Sequence, residues 1–521
     1  MMNANILIVG SGAAGLNAAL TLAKKGCGCL LVSEIPSERA QSNMAEGGIN
    51  AALDNCGEGD SPELHAADTI KAGRNIASPA AVNGLCNAAP RIIEELSAMG
   101  MPFDRTADGK VAQRAFGGQS RKRTCYCGSE TGLILMHTLI TQARKYEAQG
   151  LIRRETGLLF LRVLTDDKGI CGALFADKYT GKICRITARA VIMCTGGLNG
   201  LFGIATGSVL NSGTAAASLF TSGVEFSNLE FIQFHPTTSP LKGKSMLISE
   251  AARGEGGILY TLENGQRIRF MQGFEKGDLS PRDVISIEEQ KIIDNGGDIY
   301  LDLTALDGDI IDSRLGSLRE SCKMFLGIDM KTAPLPVKPG IHYFMGGVRT
   351  DSSHRASIDG LFAAGEAACI YHGANRLGGN SLLGALYGGE CAAYAALSAD
   401  REETDITATS ENVDIYEVKA AAQQDENIRR QLCRLGVIRT PEVIADVQEK
   451  LSCIEGQAKG KEYLHSRCLL AMAIAESISQ RRESRGAHLR TDFPDTLPEY
   501  RKTSTVYYDG VIKHRFDEVG E

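Results

Sequence analysis

The stretch NILIVGSGAAGL, Asn5 to Leu16, decides how the rest of the chain is read. An apolar β-branched run meets Gly10-Ser11-Gly12-Ala13-Ala14-Gly15, then the helical pattern LNAALTLAKKG, then Cys29 to Glu34. Strand, glycine turn, helix and strand in this order make a βαβ unit. Gly10 permits the tight turn, Gly12 lets backbone amides approach a pyrophosphate at the helix N-terminus, and Gly15 lets helix and strand pack closely. Glu34 closes the second strand where a carboxylate can accept from ribose hydroxyls. The spacing predicts an adenine-dinucleotide site touching Gly10, Gly12, Ala13, Ala14, Gly15 and Glu34; the plainer reading is a glycine-rich turn without ligand. NAD and FAD share this fingerprint. Two later segments favour FAD, because AVIMCTGG (Ala190 to Gly197, with Thr195 and Gly196) and GLFAAGE (Gly360 to Glu366) return to the nucleotide fold late in the chain.

Composition bounds the class. At 521 residues the chain should divide into two to four domains, at about 100 to 200 residues each. Hydrophobic residues are 43% and charged residues 23%, with no low-complexity tract, so the chain reads as globular. A net charge of −7, with SRKR (Ser120 to Arg123) as the densest basic cluster, makes nucleic acid an improbable partner. No apolar run of about 18 residues appears, so direct membrane insertion is not expected, and a cytoplasmic location, peripheral to a membrane only through a partner, is. The 15 cysteines are scattered and include no CxxC pair, which argues for reduced thiols and against an iron–sulfur or metal site in this chain.

Polar residues suited to carbonyl or carboxylate chemistry lie between the two nucleotide segments. His235 stands in QFHPTT, Ser249 and Glu250 in LISEAARGEGG, Arg282 in SPRDV, His342 in HYFMGG, and Arg376 in HGANRLGGNSLL. Singly each has a dull explanation: a histidine is usually a hydrogen-bonded structural residue, and Ser-Glu before a helix is a cap. Together, two arginines and two histidines could clamp both ends of a small dicarboxylate, with Gly378 and Gly379 admitting close backbone approach.

At these residues the sequence resembles the flavoprotein subunits of succinate dehydrogenase and fumarate reductase, a family that also contains L-aspartate oxidase. The likeness runs through GSGAAGL, AEGGINAAL, QFHPT, SEAARGEGG, PRDV, HYFMGG, HGANRLGGNSLL and RESRGAHLRTDFP. It implies an α/β fold: a Rossmann-type FAD-binding domain in two segments (1–230 and 345–400), an inserted α+β capping domain (231–344), a C-terminal helical region (401–490) and a tail (491–521). It implies cofactor contacts at Ser33, Ser42, Glu46, Gly47, Gly48, Thr195, Gly196, Glu366, Ser381 and Leu382. It also implies that His235, Ser249, His342 and Arg376 hold the substrate carboxylates, with Arg282 as proton donor and Glu250 as its relay, in hydride exchange between flavin N5 and a C4 dicarboxylate. Electrons would then come from a partner subunit carrying iron–sulfur centres or from a reduced small carrier.

Three departures from the family pattern matter. Membrane-complex relatives attach FAD through a histidine in an SHTxAAQGG-like stretch; Arg39 to Gly48 reads RAQSNMAEGG, with Gln41 near that place, so non-covalent FAD and fumarate reduction are expected. A family aspartate near the nucleotide is replaced around Ser212-Gly213-Thr214, and the chain is shorter after residue 400. L-aspartate oxidase is the competing reading, but Phe116 in AFGGQS stands where that enzyme carries an acid for the substrate ammonium, which favours fumarate/succinate chemistry. A flavin module without free substrate is a third reading, disfavoured by the retained His235, Arg282, His342 and Arg376. Beyond Val413 the periodicity IRRQLCRLG, VIADVQEKL and CLLAMAIAESISQ predicts packing helices, and the tail from Tyr500 a strand or hairpin.

Overall fold

The opening run forms a strand, Met2–Val9, at the middle of the largest sheet. This computed structural model describes residues 2–399 and 425–520; the predicted start of the helical region at 413 and the boundary at 400 lie outside them. Met2–Val9 pairs in parallel with Cys29–Ser33 on one side and Ile183–Met193 on the other, and Cys29–Ser33 pairs in parallel with Ile152–Thr156. Ile183–Met193 is where the layer forks. Its last residues pair in parallel with Leu361–Ala363, while its first residues pair antiparallel with Gly169–Asp177, which pairs in turn with Leu158–Asp166. The late return of the chain to the nucleotide fold is therefore a strand added beside the AVIM segment. Helices Ala13–Lys24 and Asn380–Leu397 pack against each other and share one apolar core with this sheet.

The fingerprint glycines are fixed by close approach. Gly10 has φ +105°, and a Cβ there would overlap the Cys194 carbonyl. A Cβ on Gly15 would overlap the carbonyl of Gly10, so only glycine lets the helix lie this close to its strand.

Between Ile232 and Phe344 the chain builds a second, wholly antiparallel sheet of six strands in the order Lys244–Leu247, Ile232–Leu241, Leu335–Phe344, Ile299–Asp302, Ile258–Glu263, Gln266–Ile268. Helix Arg282–Asp294 lies on it through Ile285 and Ser286, and this layer has its own apolar core around Ile248, Leu259, Ile299 and Leu301. Toward the C-terminus come helices Glu426–Leu432, Pro441–Ala458 and Glu462–Gln480. The last two follow the apolar periodicity read from sequence and join the core of the main sheet's other face. The tail is a hairpin, Lys502–Tyr508 with Ile512–Glu518, whose first strand pairs with Phe226–Ser227. Among the described residues no helix is long and apolar enough to cross a membrane, and no His, Cys, Asp and Glu cluster suits a metal ion.

Candidate active site

A cavity of about 460 Å³ runs from the fingerprint turn to the six-stranded sheet. At one end it is lined by Gly10, Gly12, Ala13, Ala14, Ser33, Glu34, Ser42, Glu46, Gly47, Gly48, Thr195, Gly196, Glu366, Ser381 and Leu382; at the other by His235, Ser249, Glu250, Arg282, His342 and Arg376. One residue named from sequence departs from this set. Gly15 does not line the cavity, because its missing side chain is used up in the contact with Gly10.

The nucleotide end is built to receive a phosphate-bearing group. A helix leaves its first amides without intrahelical acceptors, and Gly12 at the N-cap supplies no side chain to cover them. Ser42 Oγ accepts the Ala13 amide, at 3.1 Å. Among the described residues, Glu46 Oε2, Asn199 Oδ1 and Asn211 Nδ2 line the cavity as buried polar atoms without a protein partner, as does Arg376 Nε toward the other end. Orphaned atoms of this kind are costly unless a ligand or water meets them. Burial lifts the Glu46 carboxyl to about 8 and that of Glu366 to about 7, so both can act as donors near neutrality. Burial also raises Glu34, against the opposing pull of Lys178. Gln41, near the place of the linking histidine, spends its Oε1 on the Ser208 amide at 2.6 Å. At Ser212 and Thr214, where the family aspartate was missed, Arg467 donates to the Ser212 carbonyl and to Thr214 Oγ1.

At the other end two guanidiniums converge. Arg282 Nη1 and Arg376 Nη2 each donate to Gln233 Oε1 at 3.0 Å, while Gln233 Nε2 donates to the Arg376 carbonyl at 2.8 Å. Arg282 also donates to Glu250 Oε2 through Nε at 2.9 Å and Nη2 at 2.5 Å. Glu250 Oε1 accepts from the Gly117 amide at 2.7 Å and faces Arg253 Nη2 at 3.5 Å. Burial works against ionising Glu250, but Arg282 and Arg253 outweigh it and hold the carboxyl below its ordinary range. A Cβ on Gly378 would come within 2.8 Å of Glu250 Oε2, which explains glycine there.

Arg376 lies over the Tyr343 ring, 4.4 Å from its centroid, and its Nε has no protein partner. Burial and the charge of Arg282 bring it down to about 9. The rings of His235 and His342 lie 5.0 Å apart, and both are held far below the usual imidazole range, by burial first and by Arg282 next, so both are neutral. The Thr237 amide donates to His235 Nδ1 at 3.2 Å, which puts the ring proton on Nε2. His342 Nδ1 meets Thr206 Oγ1 at 2.8 Å. Ser249 lines the cavity and also takes the Ala251 amide on Oγ at 3.4 Å, the local turn expected of Ser before a helix.

Sequence reading missed Gln233, Arg253 and Tyr343, all at or beside this end. Gln233 was findable: it lies two residues before His235 on one strand, the spacing that puts side chains on a common face. Arg253 follows Glu250 by three, the spacing of helical neighbours. Phe116 is buried and lines the cavity, beside Gly47 and Gly378.

A cavity joining a dinucleotide cradle to a basic pocket is that of a flavin-dependent oxidoreductase. The family model described as FAD binding domain matches residues 5–382, and that described as fumarate reductase flavoprotein C-term matches 435–518. The succinate dehydrogenase flavoprotein subunit of Bacillus subtilis is 36% identical, over 95% of this chain and 92% of its own length. The fumarate reductase flavoprotein subunit of Mycobacterium tuberculosis is 34% identical, over 98% and 96%. Among solved structures, E. coli quinol fumarate reductase FrdA superposes with a TM-score of 0.90 at 28% identity, over 100% of this chain and 98% of that one. The chain belongs to the succinate dehydrogenase/fumarate reductase flavoprotein family and is an FAD-dependent oxidoreductase.

Proposed function

We propose that this protein exchanges hydride between FAD and a C4 dicarboxylate, with reduction of fumarate to succinate as the favoured direction and electrons delivered by an iron–sulfur partner subunit. The observation that carries the reading is the pair of guanidiniums on one neutral acceptor: Arg282 and Arg376 both donate to Gln233 Oε1 at 3.0 Å in a buried pocket. Two like charges held this close repel, and a dianion between them relieves that cost. The neutral His235 can donate through Nε2 to a carboxylate oxygen without adding charge.

The FAD, when bound, supplies the two-electron carrier. The protein's part is to orient the substrate and to hold a proton. A guanidinium is a very weak acid, so Arg282 serves only toward a strongly basic, carbanion-like carbon. Glu250 Oε2, 2.5 Å from Arg282 Nη2, is in position to return the proton, and Arg253 stands behind Glu250 to replenish it. Phe116 favours this chemistry over oxidation of an amino acid, because an aromatic ring offers no carboxylate to an ammonium group. Gln41 favours non-covalent FAD, and a flavin lacking that bond has a lower potential, which suits fumarate reduction.

The purified protein should oxidise reduced viologen with fumarate in the absence of oxygen, and in a separate aerobic assay should consume no oxygen with L-aspartate. Arg282→Lys should keep its FAD and lose roughly 10³-fold in kcat, within the usual 10²- to 10⁴-fold range for a general acid. A lysine variant with substantial fumarate turnover refutes the assignment of Arg282.

A further inference from the structure

Outside the proton path, one contact ties the six-stranded sheet's helix to the nucleotide-binding layer. Asp283, next to Arg282, is almost wholly buried and accepts from two residues that belong to neither its helix nor its sheet. Asn375 Nδ2, beside Arg376, donates to Asp283 Oδ1 at 3.0 Å. Arg74 donates to Oδ2 through Nε at 3.2 Å and through Nη2 as well. Asn375 Oδ1 in turn accepts from Gln233 Nε2 at 2.8 Å, and Gln233 is the acceptor shared by Arg282 and Arg376.

Arg74 itself is held in an unusual way. Arg74 and the following Asn75 have φ of +54° and +59°, a left-handed conformation that non-glycine residues rarely adopt and that persists only where surroundings enforce it. The enforcement is visible. The Arg74 carbonyl accepts from Arg485 Nη1 at 3.2 Å, the Ala374 amide donates to the Gly73 carbonyl at 2.9 Å, and the Ala487 amide donates to the Ala374 carbonyl at 2.9 Å. The RESRGAH segment near the C-terminus thus braces the turn that presents Arg74, and the same segment braces the loop that presents Arg376.

We propose that Arg74 is a positioning residue: by clamping Asp283 it fixes Arg282 on the six-stranded layer in register with Arg376 on the nucleotide-binding layer. The inference rests on the dicarboxylate reading above. Two Arg74 donors on Oδ2, with Asn375 on Oδ1, fix the orientation of the Asp283 carboxylate as well as its distance, which a single ammonium in place of the guanidinium does not. Removing it leaves both substrate arginines present but free to separate.

The test uses FAD-loaded protein, fumarate turnover with reduced viologen, and the dissociation constant of malonate, a dicarboxylate that cannot be reduced, read from the flavin absorbance. Arg74→Gly removes the side chain and relaxes the left-handed turn, so folding is spared. It should keep its FAD, weaken malonate at least about tenfold, and raise KM for fumarate more than it lowers kcat. Arg74→Lys should fall between. Arg74→Gly with Asp283→Asn should be no worse than the worse single variant, since both break one link. Malonate affinity and kcat/KM within twofold of the parent in Arg74→Gly, or losses that multiply in the double variant, overturn the clamp. If Arg74→Gly cannot hold FAD, Arg74→Lys decides, and parental malonate binding there overturns it. A parent that binds malonate yet does not reduce fumarate overturns the reaction assignment while the malonate series still judges the clamp; a parent that does neither overturns both.

Discussion

Gln233 Oε1 accepts two hydrogen bonds from two cations, and most of the pocket's electrostatics follow from that one atom. Arg376 is the more exposed of the pair to consequence: it has no carboxylate partner, its Nε is unmet, and burial with the neighbouring Arg282 lowers it to about 9. The needed form is the cation, and a lowered value means that form is lost as pH rises through about 9 rather than far above any practical range. Because kcat/KM reports the free enzyme, it should stay level from neutrality to about pH 8 and then fall, by about tenfold at pH 10, each unit above the value removing a further factor of ten. A bound dianion restabilises the cation, so kcat should fall later. A kcat/KM that is flat to pH 10.5 contradicts this account of Arg376. The histidines contribute nothing to that limb, since both are already neutral.

Among the elements, the helix Ala13–Lys24 turns its uncovered first amides to the cavity, and its placement depends on Gly15. An alanine there puts a methyl group onto the Gly10 carbonyl and must push helix from strand, so Gly15→Ala should yield a protein purified without yellow colour and destabilised by about 1 to 3 kcal/mol, the usual cost of overpacking. Absorbance at flavin wavelengths and a melting curve check both; a yellow variant with the parental Tm sinks the argument. This element was legible in sequence because its constraints are local: a turn, a close contact and a helix start all fall within Gly10 to Gly15. The helices Pro441–Ala458 and Glu462–Gln480 were legible from apolar periodicity. The fork of Ile183–Met193 was not, since nothing in a strand's own residues says that its two ends take different partners. Nor was Arg74, whose left-handed turn is enforced by Arg485, more than four hundred positions away.

At the scale of the whole molecule, the cavity is bounded by the nucleotide-binding layer and the six-stranded layer, through Glu34, His235 and the turn at Ser212, which Arg467 of the C-terminal region braces without lining the cavity itself. A cofactor seated there spans the core of one face of the main sheet, through Ala13, Ala14 and Leu382, and that of the six-stranded layer, through Phe116 and Met246. It binds the native chain and not the unfolded one, so it stabilises by mass action, about 2.7 kcal/mol when free FAD is at 100 times its Kd. That dependence on free ligand exists only for a flavin that can leave. Gln41 is bound to the Ser208 amide and has no nucleophile to offer the flavin, unlike an imidazole in that place. Two measurements therefore agree or fail together. Acid precipitation should leave a colourless pellet under a yellow supernatant, and the Tm of the holoprotein should rise with added FAD across the range that spans its Kd. A yellow pellet, or a Tm indifferent to added FAD after the bound flavin has been partly stripped, would mean that another side chain in the cavity has taken over the covalent attachment.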